Sequence, residues 1–406
     1  MPSNTRLHPN SNFSLELLEG SAQFFPAVIA SLDAAQHTVQ METYIFDLTA
    51  SGAHVAQALE RAAQRGVTVR LLVDGFGTPA LPAEWTARFQ AAGVQSMIFE
   101  PIVTLGVFIP RQWRRLHRKL CVIDSEVAFC GGINVLDDFY DPNYGKLAAA
   151  RFDFCVRVTG ALALTIHAIT CQLWERMSTS RFDARNSSNR VLTAIDFLTR
   201  QPRRYKLRRN QAHTLQPKAY LVLRDNVTHR ATIERAYLKA IGEARQEIII
   251  ANAYFLPGAK LRKALIHAAN RGVKVQLLLQ GRYEYFMQYH AARPVYGSLL
   301  AAGIEIHEYA PSYLHAKVAV IDGVWATVGS SNLDPLSLLL AREANIVVQD
   351  NDFAAKLRER LIEAMKMGGK QIDAEEFSHR PVTQRIRDRI AFALMRAGLW
   401  IIGKRY

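Results

Sequence analysis

Two segments of the chain set a lysine two residues after a histidine and an aspartate five residues after the lysine. They read His117-Arg118-Lys119-Leu120-Cys121-Val122-Ile123-Asp124 and His315-Ala316-Lys317-Val318-Ala319-Val320-Ile321-Asp322. The apolar residues within each predict a strand. Positions two apart share a face of a strand, so each His and Lys should project together into one site. An imidazole there can attack an electrophile or carry a proton, and the ammonium beside it can neutralise charge developing on an anionic centre. Asp124 and Asp322 stand where each strand should end, before Ser-Glu and before Gly-Val. A turn-forming role competes there with a directly catalytic one.

Seventeen residues beyond each histidine comes an asparagine: GGIN ends at Asn134 and GSSN at Asn332. The small residues ahead of it let backbone approach an anion closely. Asn134, Asn332 and Ser330 can then donate to phosphate oxygens; Gly132 stands where Ser330 does, so the serine role belongs to one side only. A nucleophilic imidazole also needs a fixed tautomer, one nitrogen held while the other reacts. Asp153 in RFDFCVRV and Glu343 in REANIVV lie in apolar, strand-like surroundings where an unpaired carboxylate is costly. A histidine partner competes there with a salt bridge to Arg151 or Arg342. The lysines supply the positive charge that a metal would, and no HxxxH, HExxH or acidic cluster accompanies them. Neither metal nor cofactor is expected.

The elements that must position these residues also come twice. Residues 27–46 return as 237–257, 58–75 as 264–281, and 91–101 as 301–311. Each copy alternates helix and strand, which predicts an α/β fold of two homologous α/β/α sandwich halves, their mixed sheets mostly parallel and covered on both faces. Gly93 and Gly303 are 210 residues apart but His117 and His315 only 198, so the first copy holds 12 additional residues, centred on the loop 103–115. The expected organisation is a first half over 1–177, a basic linker over 178–216, a second half over 217–372 and a basic amphipathic tail over 373–406. In that tail Ile386, Ile390, Ala393, Leu394, Ala397, Trp400 and Ile401 recur at helical spacing. Basic residues interrupt them, which suits a helix lying in a membrane interface; packing on the protein's own core or a second subunit is the alternative.

The chain of 406 residues has a net charge of +14, which calls for a polyanionic partner, either nucleic acid or an anionic lipid surface. With 49% hydrophobic and 21% charged residues, a disordered chain is excluded. Cys121, Cys130, Cys155 and Cys171 form no CxxC pair and read as buried thiols. Residues 1–13 lack the apolar core of a signal peptide, and no apolar run is long enough to span a bilayer, so a protein meeting a membrane from the cytoplasmic side is expected.

The paired motifs resemble those of the phospholipase D superfamily, named for its HKD signature. RLHRKLCVID with GGIN, RDNVTHRATIE (224–234), IIIANAYFLPG (248–258) and the stretch 314–348 are similar to bacterial cardiolipin synthases of the shorter, B-type subgroup, over residues 12 to 365. The resemblance implies pseudo-two-fold halves sharing one active site. It implies that His117 attacks the phosphorus of a donor phospholipid to form a phosphohistidine and that His315 serves as acid, then base. Lys119 and Lys317, with Asn134, Asn332 and Ser330, would hold the non-bridging oxygens. The implied acceptor is phosphatidylglycerol and the donor a second phosphatidylglycerol or phosphatidylethanolamine, at the inner membrane. A phospholipase-type hydrolase or a nuclease is the alternative; the amphipathic tail and apolar loop disfavour nucleic acid as partner.

Overall fold

Both halves build the same helix-to-strand unit for the same reason. Helical spacing stops at Arg65-Gly66 and at Arg271-Gly272, and the two glycines take left-handed backbone, φ 89° and 88°, which an L side chain resists. Val67 then donates to the Ala62 carbonyl and Val273 to that of Ala268. These bonds close a helix C-terminus and turn the chain directly into a strand.

The computed structural model describes residues 14–101, 114–141, 144–185, 218–225, 229–282 and 286–401. Most of the loop 103–115 and of the expected linker lies outside them. The first half opens with β1 (Leu15–Glu19), α1 (Gly20–Ala34), β2 (Thr38–Thr43), α2 (Ala50–Gln64), β3 (Thr68–Asp74), α3 (Ala83–Ala92) and β4 (Gln95–Phe99). It continues with β5 (Arg115–Leu116), β6 (Lys119–Ile123), β7 (Val127–Gly131), β8 (Tyr140–Asp141), β9 (Gly145–Lys146), β10 (Phe154–Thr159) and α4 (Ala161–Arg185). That last helix runs past residue 177.

The second half opens with β11 (Ala219–Arg224), α5 (Thr232–Glu243), β12 (Glu247–Asn252), α6 (Ala259–Asn270), β13 (Lys274–Gln280), α7 (Phe286–Leu300) and β14 (Glu305–Tyr309). Then come β15 (Lys317–Ile321), β16 (Trp325–Gly329), α8 (Pro335–Leu339), β17 (Ala341–Gln349), α9 (Asn351–Gly368), β18 (Gly369–Gln371), α10 (Ala374–Ser378) and α11 (Val382–Ile401).

The first sheet is ordered β1-β10-β7-β6-β2-β3-β4, and the second repeats that order as β11-β17-β16-β15-β12-β13-β14, with β18 at its edge. The sheets are mixed, but antiparallel pairing predominates, a correction to the mostly parallel arrangement expected. Among the described residues, the neighbours along these two orders that pair in parallel are β2-β3-β4 and β12-β13-β14, because helical crossovers join them. The motif strands β6 and β15 instead pass through tight turns into β7 and β16, and a tight turn can only reverse the chain.

Helices α1 to α3 cover one outer face and α5 to α7 the other. The inner faces meet at the centre, where Leu120, Val122, Phe154 and Val156 share a core with Val318, Val320, Ile346 and Val348, Ile166 of α4 and Leu357 and Leu361 of α9. Helix α4 reaches across to β11 and α9 reaches across to β1. Burial on both faces is what the unbroken apolar strands require. The exchange also continues into the backbone: β5 pairs with β17, and Phe152 bridges Leu314.

Candidate active site

Each histidine sits just ahead of its motif strand, pinned to the opposite half. The His117 amide donates to the Arg342 carbonyl at 3.0 Å, and the His315 amide to the Phe152 carbonyl at 2.9 Å. The next residue along each partner strand carries a carboxylate. His117 Nδ1 lies 2.9 and 3.0 Å from the two Glu343 oxygens, and His315 Nδ1 lies 2.6 Å from Asp153 Oδ2. Half one therefore orients the histidine of half two, and the reverse. The competing salt bridges do not form, since Arg151 pairs with Asp141 and Arg342 lies over the Phe99 ring.

A carboxylate on Nδ1 keeps the proton there and leaves Nε2 as the reacting nitrogen on both rings. The imidazoles stay accessible, at 15% and 23% exposure, whereas Glu343 is fully buried. Lys119 and Lys317 are buried beside them, each Nζ donating to the carbonyl of its own histidine.

Crowding cations into a buried site lowers their affinity for protons. Burial is the main cause, aided by Lys317, that pulls Lys119 down to about 7. Burial also lowers His117, against the pull of Glu343. It lowers His315 further, with Lys317 and Lys119 acting in the same sense. Burial raises Asp153 to about 7, against Lys317. A phosphodiester anion entering between the rings would reverse the penalty on every one of these cations.

The remaining expected residues divide. Asn134 uses its carbonyl to accept from the Ile45 amide at 3.2 Å, which turns its NH₂ into the group available for donation. Asn332 is buried, and its side-chain oxygen has no hydrogen-bond partner. Ser330 differs from its expected part: it donates to Glu343 at 2.6 Å and accepts from the Ala344 amide at 3.0 Å. With its hydroxyl so used, it positions Glu343 rather than holding phosphate. The glycine at the matching place has its own reason, because a Cβ on Gly132 would fall 2.3 Å from Asp153 Oδ1.

Of the two roles open to Asp124 and Asp322, the contacts are those of the turn-forming one rather than of a catalytic residue. Each accepts three backbone amides at the far end of its strand: Gln36, His37 and Thr38 for Asp124, and Arg245, Gln246 and Glu247 for Asp322. Seven residues of extended chain separate them from their histidines by roughly 20 Å. Burial opposes their ionisation, but the amide donors outweigh it and hold both below the usual range.

Three positioning residues escaped the reading of the sequence. Asp74, at the end of β3, accepts from the Leu116 amide at 2.6 Å, and Gln280, at the matching end of β13, accepts from the Leu314 amide at 3.1 Å. Each fixes the backbone immediately before a histidine; their placement in the repeated D/Q-Gly signal was the available clue. Tyr44 packs edge-on against His117 with centroids 5.0 Å apart, and Lys119 Nζ sits 5.3 Å from its ring. By strand register Ala253 occupies the equivalent place in the second half, so that position carries an aromatic in the first half and a methyl group in the second.

A family profile described as "Cardiolipin synthase, PLD-like domain" matches residues 28–147 and again 237–365. The cardiolipin synthase B of Salmonella typhi is 37% identical over 386 residues, covering 94% of this chain and 87% of the relative. That of Escherichia coli strain K12 is 36% identical over 382 residues, with the same coverage of 94% and 87%. Among solved structures, phosphatidylserine synthase of Haemophilus influenzae Rd KW20 superposes with a TM-score of 0.65 at 14% identity, covering 95% of this chain and 94% of that one. At that identity the likeness concerns the fold.

Proposed function

Since the chain belongs to the cardiolipin synthase family with PLD-like domains, we propose that it moves a phosphatidyl group from a donor phospholipid onto phosphatidylglycerol through a phosphohistidine. The observation that carries this mechanism is the crossed pairing, His117 on Glu343 and His315 on Asp153, within one lysine-lined site. With Nδ1 held on each ring, both Nε2 atoms are left to react, which supports attack and proton transfer at one phosphorus.

In the first step His117 Nε2 bonds to phosphorus. The bond from phosphorus to the head-group oxygen breaks, and protonated His315 gives its proton to the departing alcohol. In the second step neutral His315 takes a proton from a hydroxyl of the phosphatidylglycerol head group. That oxygen attacks, the N–P bond breaks, and cardiolipin leaves with both rings restored, as microscopic reversibility requires. Lys119 and Lys317 stay fixed against the non-bridging oxygens, with Asn134 and Asn332 adding neutral donors. With phosphatidylglycerol as donor the alcohol released is glycerol; with phosphatidylethanolamine it is ethanolamine. The site of action is the anionic surface of the inner membrane on its cytoplasmic side, to which a net charge of +14 is matched.

Incubation of the purified enzyme with phosphatidylglycerol vesicles should yield cardiolipin by mass spectrometry. His117→Ala and His315→Ala should each lower the rate by about 10³-fold or more. Phosphatidic acid as the sole lipid product would make the enzyme a hydrolase, and unchanged rates in both variants would remove the mechanism.

A further inference from the structure

Helix α11 (Val382–Ile401) has two separate faces. One docks on α7 (Phe286–Leu300): Ala391 is 2% exposed, and Phe392 and Met395 pack against the outer core of the second half. The same face carries Asp388, buried at 3%, which holds His290 Nδ1 of α7 at 2.8 Å and Arg380 at 3.1 Å. These contacts set the rotation of the helix about its axis. At 3.6 residues per turn the side opposite them is occupied by Ile386, Ile390 and Leu394. All three are more than half exposed, at 52%, 55% and 60%.

Charge frames that stripe. Arg385, Arg389 and Arg396 border it on one side and Arg387 on the other, all exposed. From residue 382 to 406 the chain has one acid, Asp388, and it is turned inward into its ion pairs. The outward surface of α11 therefore presents apolar side chains between cations with no carboxylate to repel an anion. Such a face fits a bilayer with anionic head groups, apolar groups entering the acyl boundary and arginines meeting phosphates. The basic segment 200–209, with six Lys and Arg and no acid, would be repelled by the same cations.

We propose that α11 is the membrane-docking element of this enzyme, clamped by its Asp388 face to the second half and laid by its Ile386–Ile390–Leu394 face onto an anionic lipid surface. This rests on the lipid substrate assigned above and adds which surface of the protein meets the bilayer. Docking through a helix fixed to the core, rather than a loose tail, holds the enzyme in one orientation on the lipid.

The test uses the full chain, wild type and the variants Ile390→Glu and Ile386→Glu/Ile390→Glu/Leu394→Glu. Co-sedimentation with vesicles of phosphatidylcholine containing a quarter phosphatidylglycerol is measured beside turnover of vesicles and of phosphatidylglycerol dispersed in detergent micelles. The triple variant should bind vesicles about tenfold or more weakly and lose vesicle turnover in proportion, while micellar turnover stays within about twofold. Binding of the wild type should weaken in 0.5 M salt, to be read as roughly a several-fold loss. Because the altered side chains are exposed, an unchanged thermal transition confirms the fold, and the single variant serves if the triple one does not fold. Unchanged vesicle binding in both variants would overturn the proposal. So would a fall in molecular mass from dimer to monomer in the variants, which would assign the stripe to a second copy of the chain. Vesicle binding is read without catalysis, so an enzyme that binds through α11 but makes no cardiolipin would refute the assigned reaction and leave the docking face standing.

Discussion

At the scale of single residues, the site resolves a conflict that burial creates. His117, His315 and Lys119 each feel the charge of Lys317, and burial drives all three toward neutrality. An arriving phosphodiester supplies the missing negative charge, so binding and protonation are linked. Lys119, held at about 7 by burial and Lys317, loses its proton as pH rises through that value, and with it one of the charges that attract substrate. Profiles of kcat/KM should therefore fall above roughly pH 7, while kcat, read with substrate bound, holds to higher pH. Lys119→Arg keeps its charge and should remove that alkaline limb, at a reduced rate because a planar fork replaces a point charge. A kcat/KM profile flat from about pH 6.5 to 9 in the wild type would contradict this account of the lysine. The same shift bears on stability. A depressed lysine costs folding energy in full below about 7, and the cost eases as pH climbs toward the 10.5 of an unfolded lysine.

At the scale of elements, each motif strand is tied down at both ends by different means. Its histidine end is held by the opposite half and by Asp74 or Gln280. Its aspartate end is held by three amides gathered from the loop that leads into β2 or β12. Asp322→Ala should cost about 2–4 kcal/mol of stability and leave kcat within about twofold, measured by thermal melting beside turnover. A loss of turnover without a loss of stability would restore the aspartate to catalysis. The depressed carboxylates also fix a direction: their stabilisation is present above the unfolded value of 3.8 and is lost as pH falls through the lower folded one.

The turn at Asp124 and Asp322 was legible in the sequence because Ser-Glu and Gly-Val follow them. Ser330 was not, because a hydroxyl beside an asparagine looks the same whether it faces a ligand or the Glu343 carboxylate behind it. The share of parallel pairing was misjudged for a related reason. Repeated helix-strand units announce parallel strands strongly, whereas β6-β7 and β15-β16 reverse within a few residues that resemble any other loop.

At the scale of the whole molecule, duplication does what neither half can do alone. A single copy carries its histidine just ahead of one strand and a carboxylate on or beside another, but that carboxylate serves the partner's ring. The repeat and its spacing disclosed that two histidines belong together; the exchange of Asp153 and Glu343 between halves needed three dimensions, because chain order pairs each carboxylate with the wrong histidine. The tail was likewise visible as amphipathic, but only its docked face tells which stripe looks outward. The central claim is that both rings act on one phosphorus in succession, and stereochemistry tests it most directly. A donor phosphatidylglycerol made chiral at phosphorus with sulfur and oxygen isotopes should give cardiolipin with net retention of configuration, since two in-line displacements each invert it. Net inversion would mean a single direct displacement, with no phosphohistidine on the path.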